Sequence, residues 1–236
     1  MGTVYLPGLA HKVVDFAIQL AVILFSISFH ESAHAWSALQ FGDTTARDQG
    51  RISLNPIHHI DPIGSILMPI LFYVFTGFIF GAAKPTPVNL RNTRNPRLAN
   101  LWVSAAGPLS NFLLCGVGIL LLRVIEAFAP GSLRELFVAL QYQQFGAGTI
   151  APLTYLLFYF AMVNMMLGVF NLIPIPPLDG SGVLASLGGD SVRQFLAMIA
   201  PFGFLILILL VSSRFLNGLL IPFSTLVQRL IFSGAR

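Results

Sequence analysis

Residues 16–39 read FAIQLAVILFSISFHESAHAWSAL, with no charged side chain before Glu31. A helix needs about 20 such residues to cross a bilayer. The same stretch carries His30-Glu31-Ser32-Ala33-His34. Spacing i, i+4 puts both imidazoles on one helix face, one turn apart, where each can offer a nitrogen to the same metal ion. Glu31 then lies beside that metal, within reach of a water proton. An ionisable group inside a membrane helix costs on the order of 3 kcal/mol and needs a partner. Three in one turn demand a shared reason. A cation supplies one, because it binds neutral imidazole and compensates a carboxylate at once.

The rest of the chain agrees with a membrane setting. Charged residues make up 9% of the 236, against about 25% in a soluble domain. Hydrophobic residues make up 56%, Phe contributes 21, and mean hydropathy is +0.80. These values exclude an ordinary water-soluble enzyme and predict an all-α, multi-pass membrane protein embedded in the lipid bilayer. Apolar runs extend from Phe16 to Leu39, Ile63 to Ala83, Leu98 to Leu122, Pro152 to Ile173, Gln194 to Ser213 and Phe215 to Ile231. They predict a bundle of about five to six transmembrane helices forming a single domain over residues 1–236. The first run ends in polar residues rather than a cleavage site, so it reads as a retained helix.

The connections are less regular. Gly50 to Pro56 alternates as a short β-like loop would, and Arg123 to Ala151 is mildly amphipathic, as a surface-lying segment would be. The net charge of +4 comes with no basic run interleaved with aromatics, which argues against a nucleic-acid partner. Cys115 is the sole cysteine, so no intrachain disulfide can form.

Catalytic zinc takes three protein ligands and leaves one position for water. Asp179 is the best third ligand. It follows Pro174-Ile175-Pro176-Pro177-Leu178 and precedes Gly180, where a membrane helix is broken. Irregular backbone at membrane depth is tolerated where it is buried in protein or lines a wet cavity. His58 and His59, near Asp61, are weaker candidates for a second metal site, because adjacent histidines point in different directions.

His30-Glu31-Ser32-Ala33-His34, the loop Gly50-Arg51-Ile52-Ser53-Leu54-Asn55-Pro56, Ala106-Gly107-Pro108-Leu109-Ser110-Asn111 and Asn171 through Asp179-Gly180 together resemble the site-2 protease family of intramembrane zinc metalloproteases. The resemblance covers most of residues 16–190 and is to the compact form without a PDZ domain. It implies one Zn²⁺ held by His30, His34 and Asp179, Glu31 as the catalytic glutamate, and Asn111 as an oxyanion or substrate-positioning group. The implied reaction is hydrolysis of a peptide bond in or near the transmembrane helix of a membrane-protein substrate. It also suggests that an extended edge near Arg51 to Leu54 holds the unwound substrate by strand addition. The competing class is a transporter or ion pathway, which uses the same intramembrane polar residues but predicts inverted repeats. No repeat is found in the sequence. A catalytically dead scaffold would lack Glu31 or a ligand, and all are present.

Helix parity constrains the topology. For one metal to meet both His34 and Asp179, the run Ile63 to Ala83, interrupted by Pro69, Gly77 and Gly81, must enter and return rather than span. The basic residues then collect on the side of the site, including Arg47, Lys84, Arg91, Arg94, Arg97 and Arg229. The positive-inside rule makes that side cytoplasmic, in a cell membrane.

Overall fold

A computed structural model describes residues 9–67, 70, 73, 83–142, 150–212 and 214–233. Helix α1 spans Leu9–Gln40. Its buried face carries Gln19, Val22, Ser26, His30, His34 and Ser37, three or four residues apart, so the stripe turned into the bundle is largely polar. Helix α2, Pro96–Phe128, starts where the Asn95 side chain caps the Leu98 N–H and Pro96 occupies the first turn. Short α3, Ser132–Tyr142, follows, then α4, Ile150–Asn171. The chain breaks at the prolines and resumes as α5, Asp179–Leu187, then α6, Asp190–Ile199, α7, Gly203–Ser212, and α8, Arg214–Phe232.

Helix α2 is the central element and packs along α1, α4 and α5. Small residues permit the approach. A Cβ on Gly118 would stand 3.1 Å from that of Ala161, and one on Gly168 would stand 2.8 Å from the Phe112 ring. Beyond this contact an apolar core forms from Leu122, Leu133, Leu136, Met165, Val227 and Ile231. The amphipathic stretch expected over Arg123 to Ala151 thus begins as the last turns of α2 and continues as α3, which turns Leu133 and Leu136 into this core. Residues 143–149 lie outside the described residues.

Among the described residues the bundle is all-α, and four stretches are long and apolar enough to cross a membrane: Val13–Gln40, Pro96–Phe128, Pro152–Asn171 and Asp190–Leu210. The last joins α6 and α7 through the single turn Ala200–Phe202. It starts beside the N-terminal end of α2, where Arg97 bonds the carbonyls of Ser186, Leu187 and Gly188. Midway, Gly203 packs on the Pro176 carbonyl, and the chain runs on towards the opposite end. The expected run Phe215 to Ile231 is helical, as part of α8. The Arg123 side chain, near the far end of α2, donates to the Leu230 carbonyl at 2.9 Å, so α8 ends at the end of the bundle away from the site. Arg229 therefore belongs with Arg123 rather than with the basic residues near the site.

The expected re-entrant run Ile63 to Ala83 lies mostly outside the described residues, but its flanks do not. The Lys84 N–H donates to the His59 carbonyl at 3.0 Å, and Arg94 N–H to Phe41 at 3.1 Å. A single crossing would part such ends by about 30 Å. Between them, Tyr73 donates to Asp15 at 3.1 Å. Asp15 lies about 22 Å along α1 from His30 at 1.5 Å per residue. Tyr73 thus lies past the depth of the histidines, while the flanks of the run meet at the same end of the bundle.

Asp43 fastens this return. Its carboxylate is fully buried and accepts from the Thr45 N–H and hydroxyl, the Asn89 N–H and the Asn92 amide. Burial disfavours its charge, but these hydrogen bonds outweigh it and hold the carboxyl below its ordinary value.

The β-like loop is corrected in one respect: residues 50–55 form no strand. A strand would need a partner strand, and the Ser53 backbone is instead held by side chains. Its N–H and carbonyl both meet the Ser32 hydroxyl, and His59 Nε2 donates to the same carbonyl at 2.8 Å.

Candidate metal centre

The site lies within the membrane section of the bundle. His30 is ten residues before the end of α1 and Gly107 eleven residues into α2, which places both about 15 Å inside the helix ends. One turn of α1 brings the Nε2 atoms of His30 and His34 to 3.0 Å from each other. Asp179, the first residue of α5, brings Oδ2 to 3.1 Å from His30 Nε2 and Oδ1 to 3.4 Å from His34 Nε2. The broken segment makes this possible by folding back on the end of α4, so tightly that a Cβ on Gly180 would sit 2.2 Å from the Leu172 carbonyl oxygen. Helix α5 is then pinned along α2 by Asn100, which donates to the Gly182 carbonyl and the Ser186 hydroxyl.

The opposite wall is Gly107. A Cβ there would lie 2.4 Å from His34 Nε2 and 2.6 Å from His30 Nε2. No other residue leaves room for both rings.

Protons decide what this cluster can do. His34 Nδ1 faces the Val103 carbonyl at 2.6 Å, and a carbonyl only accepts, so Nδ1 carries the proton. His30 Nδ1 faces the side-chain oxygen of Asn111 at 2.6 Å and carries its proton likewise. As neutral rings both present Nε2 lone pairs to each other and to a carboxylate. Asp179 Oδ2 is buried without a hydrogen-bond partner. A single cation meets both lone pairs and the carboxylate at once. The three donor atoms lie within 4.8 Å of one another, close enough for a single ion. Among the described residues no other group of three such ligands gathers.

Glu31 turns a carboxylate oxygen to the Thr86 N–H at 2.8 Å, while the Thr86 hydroxyl donates to the Glu31 carbonyl at 3.0 Å. Thr86 stands between Pro85 and Pro87, outside any helix, and owns the one N–H of that tripeptide. Asn111 is fully buried and lies behind the His30 ring, on the Nδ1 side, away from the Nε2 atoms that converge on Asp179. Its amide nitrogen donates to Asn164 at 2.8 Å. His58 and His59 are not brought into a ligand group: His58 is exposed, and buried His59 bonds Ser53.

Thr86 and Asn164 were not legible as site residues. Asn164 had a faint signal, an amide in an otherwise apolar run, whereas Thr86 had none beyond its two prolines.

A helical membrane bundle that gathers two histidines and an aspartate of complementary protonation, with a glutamate beside them, defines an intramembrane metal-site protein of hydrolase type. The chain belongs to Peptidase family M50, the site-2 protease family, which it matches over residues 18–210. It is 38% identical over 188 residues to YwhC of Bacillus subtilis (strain 168), which is named as a candidate zinc metalloprotease, covering 80% of this chain and 77% of that one. Rip2 of Mycolicibacterium smegmatis, named in the same way, is 29% identical over 203 residues, 86% of this chain and 69% of its own. No solved structure matches the chain significantly.

Proposed function

We propose that the chain is a zinc-dependent endopeptidase that cuts another membrane protein in or beside a transmembrane helix, with His30, His34 and Asp179 holding the metal and Glu31 moving the proton. The convergence of two Nε2 lone pairs on an orphaned buried carboxylate oxygen carries this reading. The metal, when bound, supplies an activated water and a Lewis acid for the scissile carbonyl. Glu31 takes the proton of the attacking water and delivers it to the leaving amine nitrogen, so the peptide C–N bond breaks as the new C–O bond forms. Thr86 holds one oxygen of that carboxylate and leaves the other to work. Asn111 acts on His30 from behind and serves as a positioning residue.

A helical substrate hides its carbonyls and has to unwind before it is cut. We place its unwound segment against the loop of residues 51–55, where Ser53 is held inwards by Ser32 while Ile52 and Leu54 are exposed and leave an edge for strand addition. Peptidase family membership, with the metal ligands facing one another rather than lining a path, supports this reading over a transporter.

Replacement E31Q tests the chemistry. Gln cannot accept the water proton, so cleavage of a model transmembrane peptide should fall by roughly 10²–10⁴-fold while zinc stays bound. Cleavage near the wild-type rate would remove Glu31 from its role.

The site faces the cytoplasm in this reading, on the strength of Lys84, Arg91, Arg94 and Arg97 clustered at its end of the bundle. In a C115A background, Q49C and R91C should both resist an impermeant thiol reagent in intact cells and react after lysis. Labelling of both in intact cells would reverse the orientation, and labelling of only one would break the closed path between residues 41 and 94.

A further inference from the structure

The two histidines reach the same protonation state by different routes. Behind His34 stands a backbone carbonyl, which fixes the Nδ1 proton outright. Behind His30 stands the Asn111 amide, which can present either oxygen or nitrogen. If the nitrogen faced His30, Nδ1 would have to accept, the proton would move to Nε2, and the lone pair needed for a metal would be gone. Something must choose.

Asn164, on α4, is fully buried. Its amide nitrogen donates to the Phe160 carbonyl at 2.9 Å and to the Ser26 hydroxyl at 2.8 Å. The carbonyl accepts only, so the nitrogen is fixed on that side and the oxygen on the other. That oxygen accepts from the Asn111 nitrogen at 2.8 Å, which leaves the Asn111 oxygen to face His30 Nδ1. We infer that Asn164 is a positioning residue that sets the tautomer of His30 through Asn111, so that a backbone carbonyl on α4 dictates the metal-binding nitrogen on α1. Partners of this kind behind a metal-ligating histidine change affinity by about 10–100-fold. The dependence on α4 also explains why a polar amide is retained at a buried position in an apolar helix, where it would otherwise add only a modest interhelical hydrogen bond.

This inference rests on the zinc reading, but its test separates the two. The full chain in detergent is titrated with Zn²⁺ against a chelator of known affinity, and the ¹⁵N imidazole spectrum is recorded on the metal-free protein. In the wild type the unprotonated nitrogen of His30 should be Nε2. Replacement N164L frees the Asn111 amide to turn, so His30 should show mixed tautomers and zinc affinity should drop about 10–100-fold, with the His34 tautomer unchanged. Replacement N164D should stay near wild type, because a neutral aspartic acid offers Asn111 the same oxygen and donates its O–H to the Phe160 carbonyl. In N111D both side-chain oxygens accept, so N111D/N164L should recover the zinc affinity that N164L loses. A merely structural role would not be rescued at that second position. An unchanged His30 tautomer in N164L, or a double variant as weak as N164L, would overturn the relay. A wild type that takes up no zinc would sink the metal reading, while the tautomer spectra would still decide the relay.

Discussion

Helix α1 carries a half-buried acid near one end and meets another near the other, and the two are treated in opposite ways. Asp15 is saturated: Gln19 donates to it at 2.8 Å, Tyr73 at 3.1 Å, and Tyr155 donates to its second oxygen. Asp179 is starved, with one oxygen buried and unpartnered against two imidazole lone pairs. Both sit where an isolated carboxylate is costly. Hydroxyl and amide donors make Asp15 a structural clamp that ties α1, α4 and the returning segment together. The lack of donors at Asp179 leaves a site completed only by a cation. Donor supply, rather than burial or charge, separates a fastening from a ligand.

Exchanging the two residues' fates is the strongest way to test that contrast. Replacement D179A should abolish stoichiometric zinc uptake while the chain stays folded, because it removes one of three ligands. Replacement D15L should do the reverse, keeping zinc at full occupancy while costing on the order of 3 kcal/mol of stability as buried donors lose their acceptor. Zinc content and thermal unfolding of the two purified variants would decide it, and equal zinc loss in both would dissolve the distinction.

A second measure sharpens the starved end by geometry alone. Replacement G107A places a methyl within 2.4–2.6 Å of both imidazoles, so the rings must separate. Zinc affinity should fall by at least the 10–100-fold typical of a disturbed ligand shell, whereas a Gly116→Ala change, with open space around it, should leave zinc uptake alone.

The smallest effect concerns a saturated acid nearer the surface. Asp43 is held below its ordinary carboxyl value by its hydrogen bonds. Its contribution is therefore complete above the unfolded carboxylate value of about 4 and is lost as the pH falls through the depressed folded value. Unfolding temperatures of wild type and D43N should differ most near neutral pH and converge in acid. A gap independent of pH would mean that the charge of Asp43 contributes nothing.

The sequence revealed these features unevenly, for physical reasons. His30 and His34 were readable because helix geometry converts a spacing of four into a shared face, and Asp179 because prolines announce irregular backbone. The expected return of Ile63 to Ala83, most of which lies outside the described residues, came from parity, since one ion cannot be at two depths; the bond between His59 and Lys84 joins its flanks. The side on which α8 ends was misread, because apolar length alone does not say at which face a run stops, and the Arg123 bond to the Leu230 carbonyl places Arg229 away from the site. The strand-like pattern of Gly50 to Pro56 could not report that the loop bends at Ile52 and Leu54 and that side chains, not a neighbouring strand, hold it. Thr86 lies 55 residues from Glu31, and Asn164 lies 53 from Asn111. No local pattern encodes contacts at such separations.

Thr86 has one more consequence. A peptidase that keeps a stretch of its own backbone beside the carboxylate proposed to move the proton risks digesting itself. Here the bonds on either side run Lys84-Pro85 and Thr86-Pro87, imide linkages whose nitrogens carry no hydrogen and lie in a crowded ring. The single N–H between them is already spent on Glu31. The stretch nearest Glu31 therefore has no free N–H with which to pair as a substrate strand, and its one ordinary amide, Pro85–Thr86, has that N–H tied to the carboxylate.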